Sequence, residues 1–246
     1  MFKFLHGSIV LATLAIAGQA TAADMPVKAR VAVDPPYSWT GLYIGINGGL
    51  ASGRSCWTYL PGAVGFAAVA VPSDEGCHNP AGAFGGGQVG YNWQIGSWVF
   101  GVEATGDFGR IRSDSESILF ADNHLKTTVK YFGTGVGRLG FAVTPTVLLY
   151  AKGGAGWVRD EYVRYVTSTG FVTATANETR VGWAGGAGVE WAFWRNMSAG
   201  LDYTYIGLGQ KDQRFLTPAG AFGINETVNQ KLQAVTLKLN YRFGGI

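Results

Sequence analysis

Between Val235 and Phe243 apolar and polar side chains alternate without a break. Val235, Leu237, Leu239, Tyr241 and Phe243 fall on one side of an extended chain, and Thr236, Lys238, Asn240 and Arg242 on the other. A period of two is the mark of a strand with one face in an apolar medium. The beat recurs over Thr40–Ser52, Phe84–Gln94, Trp98–Phe108, Lys126–Ala142, Thr146–Val158, Asn177–Phe193 and Met197–Leu208, which predicts eight strands. It fails over Ser52–Gly82, Gly109–Leu125, Arg159–Ala176 and Gly209–Val228, which read as long loops. The connections near Gly96, Thr144-Pro145 and Trp194–Asn196 are short. Long and short links therefore alternate, as they do when loops lie on one side of a membrane and turns on the other. A sheet in lipid must close on itself, because each unpaired backbone group there is costly. The expected fold is all-β, an eight-stranded antiparallel transmembrane up-and-down β-barrel over residues 39–246.

The N-terminus changes the picture by adding export. Lys3, the apolar run Ile9–Ala17 and the small residues Ala20-Thr21-Ala22 fit a signal peptide over residues 1–22. That run is too short to span a bilayer as a helix, which needs roughly 20 apolar residues. Residues 23–38 are polar, contain Pro26, Pro35 and Pro36, and read as a periplasmic leader. Composition agrees with a barrel: 14% of residues are charged, and 38 glycines argue against long helices. The formal net charge of +3 and the scattered basic residues give no reason to expect nucleic acid as a partner.

Phase assigns the side chains. Trp93, Trp98, Trp191, Trp194 and Phe243 lie beside the short turns, and Trp157 lies near a long loop. They are expected to form aromatic girdles at the two membrane surfaces. On the fourth strand Val129 and Tyr131 are expected outside and Lys130 inside. Glu103, Asp107, Glu190 and Asp202 would meet Lys130, Arg138, Lys152, Arg180, Lys238 and Arg242 in the lumen. An eight-stranded barrel is just wide enough for side chains to fill it. Enclosed charges must pair or hydrate, so a plugged polar interior is expected rather than a channel. After export, Cys56 and Cys77 would meet an oxidising compartment, where two cysteines in one loop form a disulfide. The rival reading, a metal site of Cys56, Cys77 and His78, matches no zinc spacing.

Several segments carry a family resemblance. Trp39-Thr40-Gly41-Leu42-Tyr43-Ile44-Gly45 resembles the opening WTGFYIG strand of small alphaproteobacterial outer-membrane barrels, termed outer-membrane immunogenic, opacity-type or porin-like proteins. Gly85–Trp93, Gly137–Phe141 and Gly188–Phe193 resemble later strands of that family, and Leu239–Phe243 its closing strand. The resemblance implies insertion by the outer-membrane assembly machinery, which reads a terminal aromatic. Here Gly244-Gly245-Ile246 follow Phe243, so that signal is slightly internal.

No motif points to catalysis or to a cofactor. Gly135-Val136-Gly137-Arg138-Leu139-Gly140 matches a dinucleotide fingerprint, but a strand follows it where a helix is required. His124, with Asp122 and Ser117 nearby, is the material for a lipid A-modifying hydrolase, and His78 and His124 for heme capture; both are weak. The expectation is a non-enzymatic integral protein of the outer membrane, in contact with membrane lipid and lipopolysaccharide. An unknown extracellular partner would bind at its loops. The runner-up is a narrow pore or ligand-capturing receptor.

Overall fold

The computed structural model describes residues 37–59, 73–116, 123–166, 168–216 and 222–244. The expected signal peptide and residues 23–36 of the leader lie outside the described residues. Nine antiparallel strands are present: β1 (Gly41–Tyr59), β2 (Ser73–His78), β3 (Ala81–Ile95), β4 (Trp98–Glu116), β5 (Asn123–Thr144), β6 (Val147–Val166), β7 (Val172–Ala192), β8 (Met197–Leu216) and β9 (Phe222–Arg242). Eight of them form a ring, because β1 pairs with both β3 and β9. The short β2 pairs with the far end of β1, from Ser55 opposite His78 to Tyr59 opposite Ser73, and prolongs the line of β3 across Asn79-Pro80.

Much of what the sequence assigns to loops is strand. Four hairpins continue past the expected ends, with β4 and β5 still paired at Glu116 and His124, and β8 and β9 at Leu216 and Phe222. The reason is the medium. Beyond the lipid the outer face meets water, so polar residues face outward, as at Arg110 and Lys231, apolar ones such as Ile111 and Leu232 turn inward, and backbone pairing goes on with the membrane's pattern reversed. The short turns agree with expectation, and the strand ends at Tyr37–Thr40 and Phe243 lie on their side.

Facing follows the two-residue beat through the apolar band. Leu237 is 66% exposed while Lys238 is 6% exposed. Trp93, Trp98, Trp157, Trp191, Trp194 and Phe243 all present large exposed surfaces on the outer wall. Two adjacent expected facings are wrong. Val129 is fully buried, and Lys130 stands outside, paired with Glu161 at 2.6 Å. Lys130 is the extra residue of a β-bulge: Tyr131 opposes Arg159 and Val129 opposes Asp160, with Lys130 unmatched between them. A bulge shifts the phase of everything beyond it, so β5 changes faces there.

Candidate functional site

The lumen is filled in layers, and the order follows from which strand positions point inward at each height. At the turn end Trp39 is fully buried against Val99, Leu148, Tyr150 and Ala192, with Tyr37 edge-on to it at 4.9 Å. Its indole nitrogen donates to the Pro145 carbonyl at 3.1 Å. Arg242 lies over the Trp39 ring at 4.8 Å and donates to the Ser38 carbonyl at 3.0 Å. The residues just before β1 thus close this mouth. Sequence phase placed Arg242 inside but gave no sign that the chain itself would fold in beneath it.

Above the aromatic stopper sits the charge network. Glu103 of β4 accepts from Lys238 at 2.7 Å, from Arg138 at 3.2 Å and from the Tyr43 hydroxyl at 2.9 Å. Arg138 also reaches Glu190 at 2.9 Å, and its guanidinium stacks 3.9 Å from the Tyr150 ring centre. Glu190 accepts from Ser198 at 2.5 Å and from Asn240 at 3.0 Å, with Arg242 at 3.8 Å. Asp202 ties Lys152 and Lys238, each at 2.8 Å, and accepts from Tyr150 at 2.8 Å. Tyr43 and Tyr150 reach these carboxylates across glycines, since a Cβ at Gly90 would strike the Tyr43 ring and one at Gly188 the Tyr150 hydroxyl. Buried carboxylates held by several donors and two cations each are the arrangement in which ionic burial is tolerated.

Asp107 is buried a little higher, lining a small cavity of about 20 Å³ together with Asn47, Thr134, Lys152 and Lys238. That volume suffices for a single water. Two expected members stand apart from the network. Lys130 is on the outer wall, for the reason given above. Arg180 is buried but beyond the next layer, where it donates to Gln230 at 3.3 Å and to the carbonyls of Gly209 and Val228 at 2.7 and 3.0 Å. It takes this role because β7 and β8 leave register between Thr175 and Trp183, which frees carbonyls on the β8 side.

Between these polar layers lies an apolar one that sequence phase missed. Phe84, Ile111, Val129, Phe132, Val158 and Ile206 are among the buried side chains that meet across the barrel there. Phe84 and Phe132 pack edge to face at 4.9 Å. Burial of each such side chain is worth about 1.5–3 kcal/mol. At the hairpin end Trp57 is 1% exposed, packed on Tyr162 at 5.4 Å and on His78 at 5.3 Å. Cys56 and Cys77 are joined by a disulfide, directly opposite one another in the β1–β2 ladder. The cysteines are therefore not free for metal, and no cluster of metal-binding side chains occurs among the described residues.

His78, considered above as a heme ligand, is 4% exposed, and burial lowers its imidazole pKa to about 4. It is a neutral packing group rather than an accessible axial ligand. Ser117 and Asp122, and the side chain of His124, lie outside the described residues.

A closed antiparallel ring with an oily outer band, aromatic girdles and ionic lumen is an integral barrel of a bacterial outer membrane. The family described as "Outer membrane protein beta-barrel domain" matches residues 8–243, and the chain belongs to it. It is 30% identical over 254 residues to the 31 kDa outer-membrane immunogenic protein of Brucella melitensis, covering 96% of this chain and 99% of that one. It is 32% identical over 193 residues to the 22 kDa outer membrane protein of Rhizobium leguminosarum, covering 78% and 72%. Among solved structures, the outer membrane protease OmpT of Escherichia coli has TM-score 0.53 at 8% identity, covering 84% of this chain and 98% of that one. That likeness is one of fold alone. The protein is thus an outer-membrane β-barrel of the alphaproteobacterial immunogenic-protein group.

Proposed function

We propose that this barrel is a sealed, non-enzymatic anchor that fixes four hairpins at the cell surface and contributes to envelope cohesion. One observation carries the reading. The lumen is crossed in succession by the Trp39 stopper, the network around Glu103, Glu190 and Asp202, and the apolar layer around Phe132 and Ile206. An ion in transit would have to displace paired charges and then cross hydrocarbon side chains. The hairpins suit a display role, being paired strand well beyond the lipid, and one is cross-linked by Cys56–Cys77. The name of the Brucella relative, an outer-membrane immunogenic protein, fits exposure of such a surface. Insertion would use the assembly machinery, with Phe243 as the aromatic signal.

Planar-bilayer recording of the folded protein tests the reading. The expected trace is closed or shows only brief small events, and a large stable conductance would overturn the seal. The enzymatic alternative rests on Ser117, Asp122 and His124. Mass spectrometry of lipid A from cells with and without the protein tests it. An acylation difference that disappears in His124→Ala would replace the anchor reading.

A further inference from the structure

Just above the lipid-facing aromatics, on the hairpin side, the outer wall of β4, β5 and β6 turns cationic. Phe108, Tyr131 and Arg159 stand side by side in one cross-strand row. Phe108 and Tyr131 are 63% and 56% exposed. Arg110, Arg112 and Thr128 join them, with Lys130, around one open depression. Lys130 is there only because the bulge turns it out of the lumen. It is paired with Glu161, but Arg110, Arg112 and Arg159 have no carboxylate partner among the described residues. At the opposite, turn end of the barrel the described residues offer only Arg195 on the outside.

Directly below this cationic row Trp157 lies over Gly133, and beyond it the wall is smooth. Gly135, Gly137, Ala151 and Gly153 face outward, with open space beside Gly135. A shallow groove runs over Gly137 and Gly153, with Phe100, Leu139 and Ala151 lining its turnward side. The small residues alone would say nothing about a ligand. Below unpaired guanidinium groups and past Trp157, they leave room on the wall for the acyl chains of a lipid with an anionic head. Guanidinium groups hold phosphate through paired, charge-assisted hydrogen bonds. The hairpin end faces outward from the cell, so the lipid meeting this row belongs to the outer leaflet.

We propose that this face is a binding site for a phosphorylated glycolipid of the outer leaflet. Its phosphate rests on Arg110, Arg112 and Arg159, and its acyl chains run down over Phe108 and Tyr131 into the glycine groove. The site needs the barrel's place in the outer membrane but not its sealed lumen, so it stands or falls separately from the anchor reading.

The test titrates full-length folded protein in neutral detergent with bisphosphorylated lipid A, with the same lipid stripped of phosphate, and with inorganic phosphate. Retained ligand is read by native mass spectrometry. The phosphorylated lipid should bind at least about tenfold more tightly than the stripped form, the equivalent of one charge-assisted contact. The triple variant Arg110→Gln, Arg112→Gln, Arg159→Gln should lose most of that preference. Lys231→Gln, an exposed cation on β9 away from this face, should keep it. All these side chains are exposed, and an unheated-gel shift confirms that each variant is a closed barrel. Equal affinity of the parent protein for the two lipids would overturn the proposal without any variant. An unchanged preference in the triple variant would overturn the site. Displacement of the lipid by millimolar inorganic phosphate would overturn the assignment to a lipid.

Discussion

Two short stretches of β9 carry the same chemistry facing opposite ways. At Leu237-Lys238 the leucine meets lipid and the lysine is buried in the lumen; at Lys231-Leu232 the lysine is exposed and the leucine is 1% exposed. The pleat does not slip between them, since every residue from Lys231 to Lys238 keeps the same alternation. On β4, Val102-Glu103 and Arg110-Ile111 repeat the contrast. What changes is the surroundings. Within the bilayer the outside must be oily, and the enclosed space takes the ions that strands of modest length must still carry. Beyond the bilayer the outside is water, and the enclosed space becomes a hydrophobic core capped by the buried Arg180, Asp160 and Gln230. The molecule is one ring of backbone holding two kinds of interior.

That contrast can be broken at several points. The largest effect is expected at Glu103, whose loss leaves Arg138, Lys152, Lys238 and Arg242 sharing Glu190 and Asp202 alone in a closed space. Glu103→Ala should cost about 3–5 kcal/mol in urea titrations of the vesicle-folded protein. A cost under about 1 kcal/mol would mean that water reaches the network, in line with the range for exposed pairs. Next comes Leu237→Arg, in the middle of the lipid-facing run, at about 2–4 kcal/mol, against about 0–1 for Gln233→Arg on the same face nearer the outer rim. The reverse order would move the membrane band. A smaller, local effect is expected from Cys56→Ser with Cys77→Ser. In the chain-entropy model closing a loop of this size is worth up to about 3 kcal/mol, felt here by the hairpin rather than the ring. Limited proteolysis should cut the variant between β1 and β2, while its unheated-gel shift persists.

The smallest effect is acidic loosening around His78. Burial lowers its pKa from 6.5 to about 4, so the closed hairpin refuses a proton that the opened one accepts. The stabilisation is complete above pH 6.5 and declines as pH falls toward 4. Amide exchange at β2, compared with β9, should show protection lost selectively in that window. His78→Phe should remove the dependence, and an identical profile in that variant would place the titrating group elsewhere.

The membrane-crossing half was legible because lipid enforces a strict rule on one face. Leu237, Trp191 and Tyr203 had to alternate with Lys238, Glu190 and Asp202, whatever their partners. Which ions would touch was not legible. Arg138 bridging Glu103 and Glu190 depends on register between β4, β5 and β7, which alternation does not encode. The hairpin half lacks that rule, because Arg110-Ile111-Arg112 has no oily outer face and its alternation runs opposite to the membrane's. An inward-apolar beat over Ile111, Val158, Ile206 and Leu232 was available as a signal. Lys130 was beyond reach, since one unpaired residue reverses the phase and nothing in the local sequence marks it. The inward Trp39 was visible only as part of a family-like opening segment. Its place beneath Arg242 is a contact across 203 positions of chain.

The ring is shut by β1 and β9, matched from Tyr43 with Arg242 to Tyr59 with Glu226. These are the first and last staves of the ring in chain order. A chain arrested before residue 222 would have seven staves and two raw margins, neither tolerable in oil. Closure of the ring and entry into oil therefore both wait on residues 222–242.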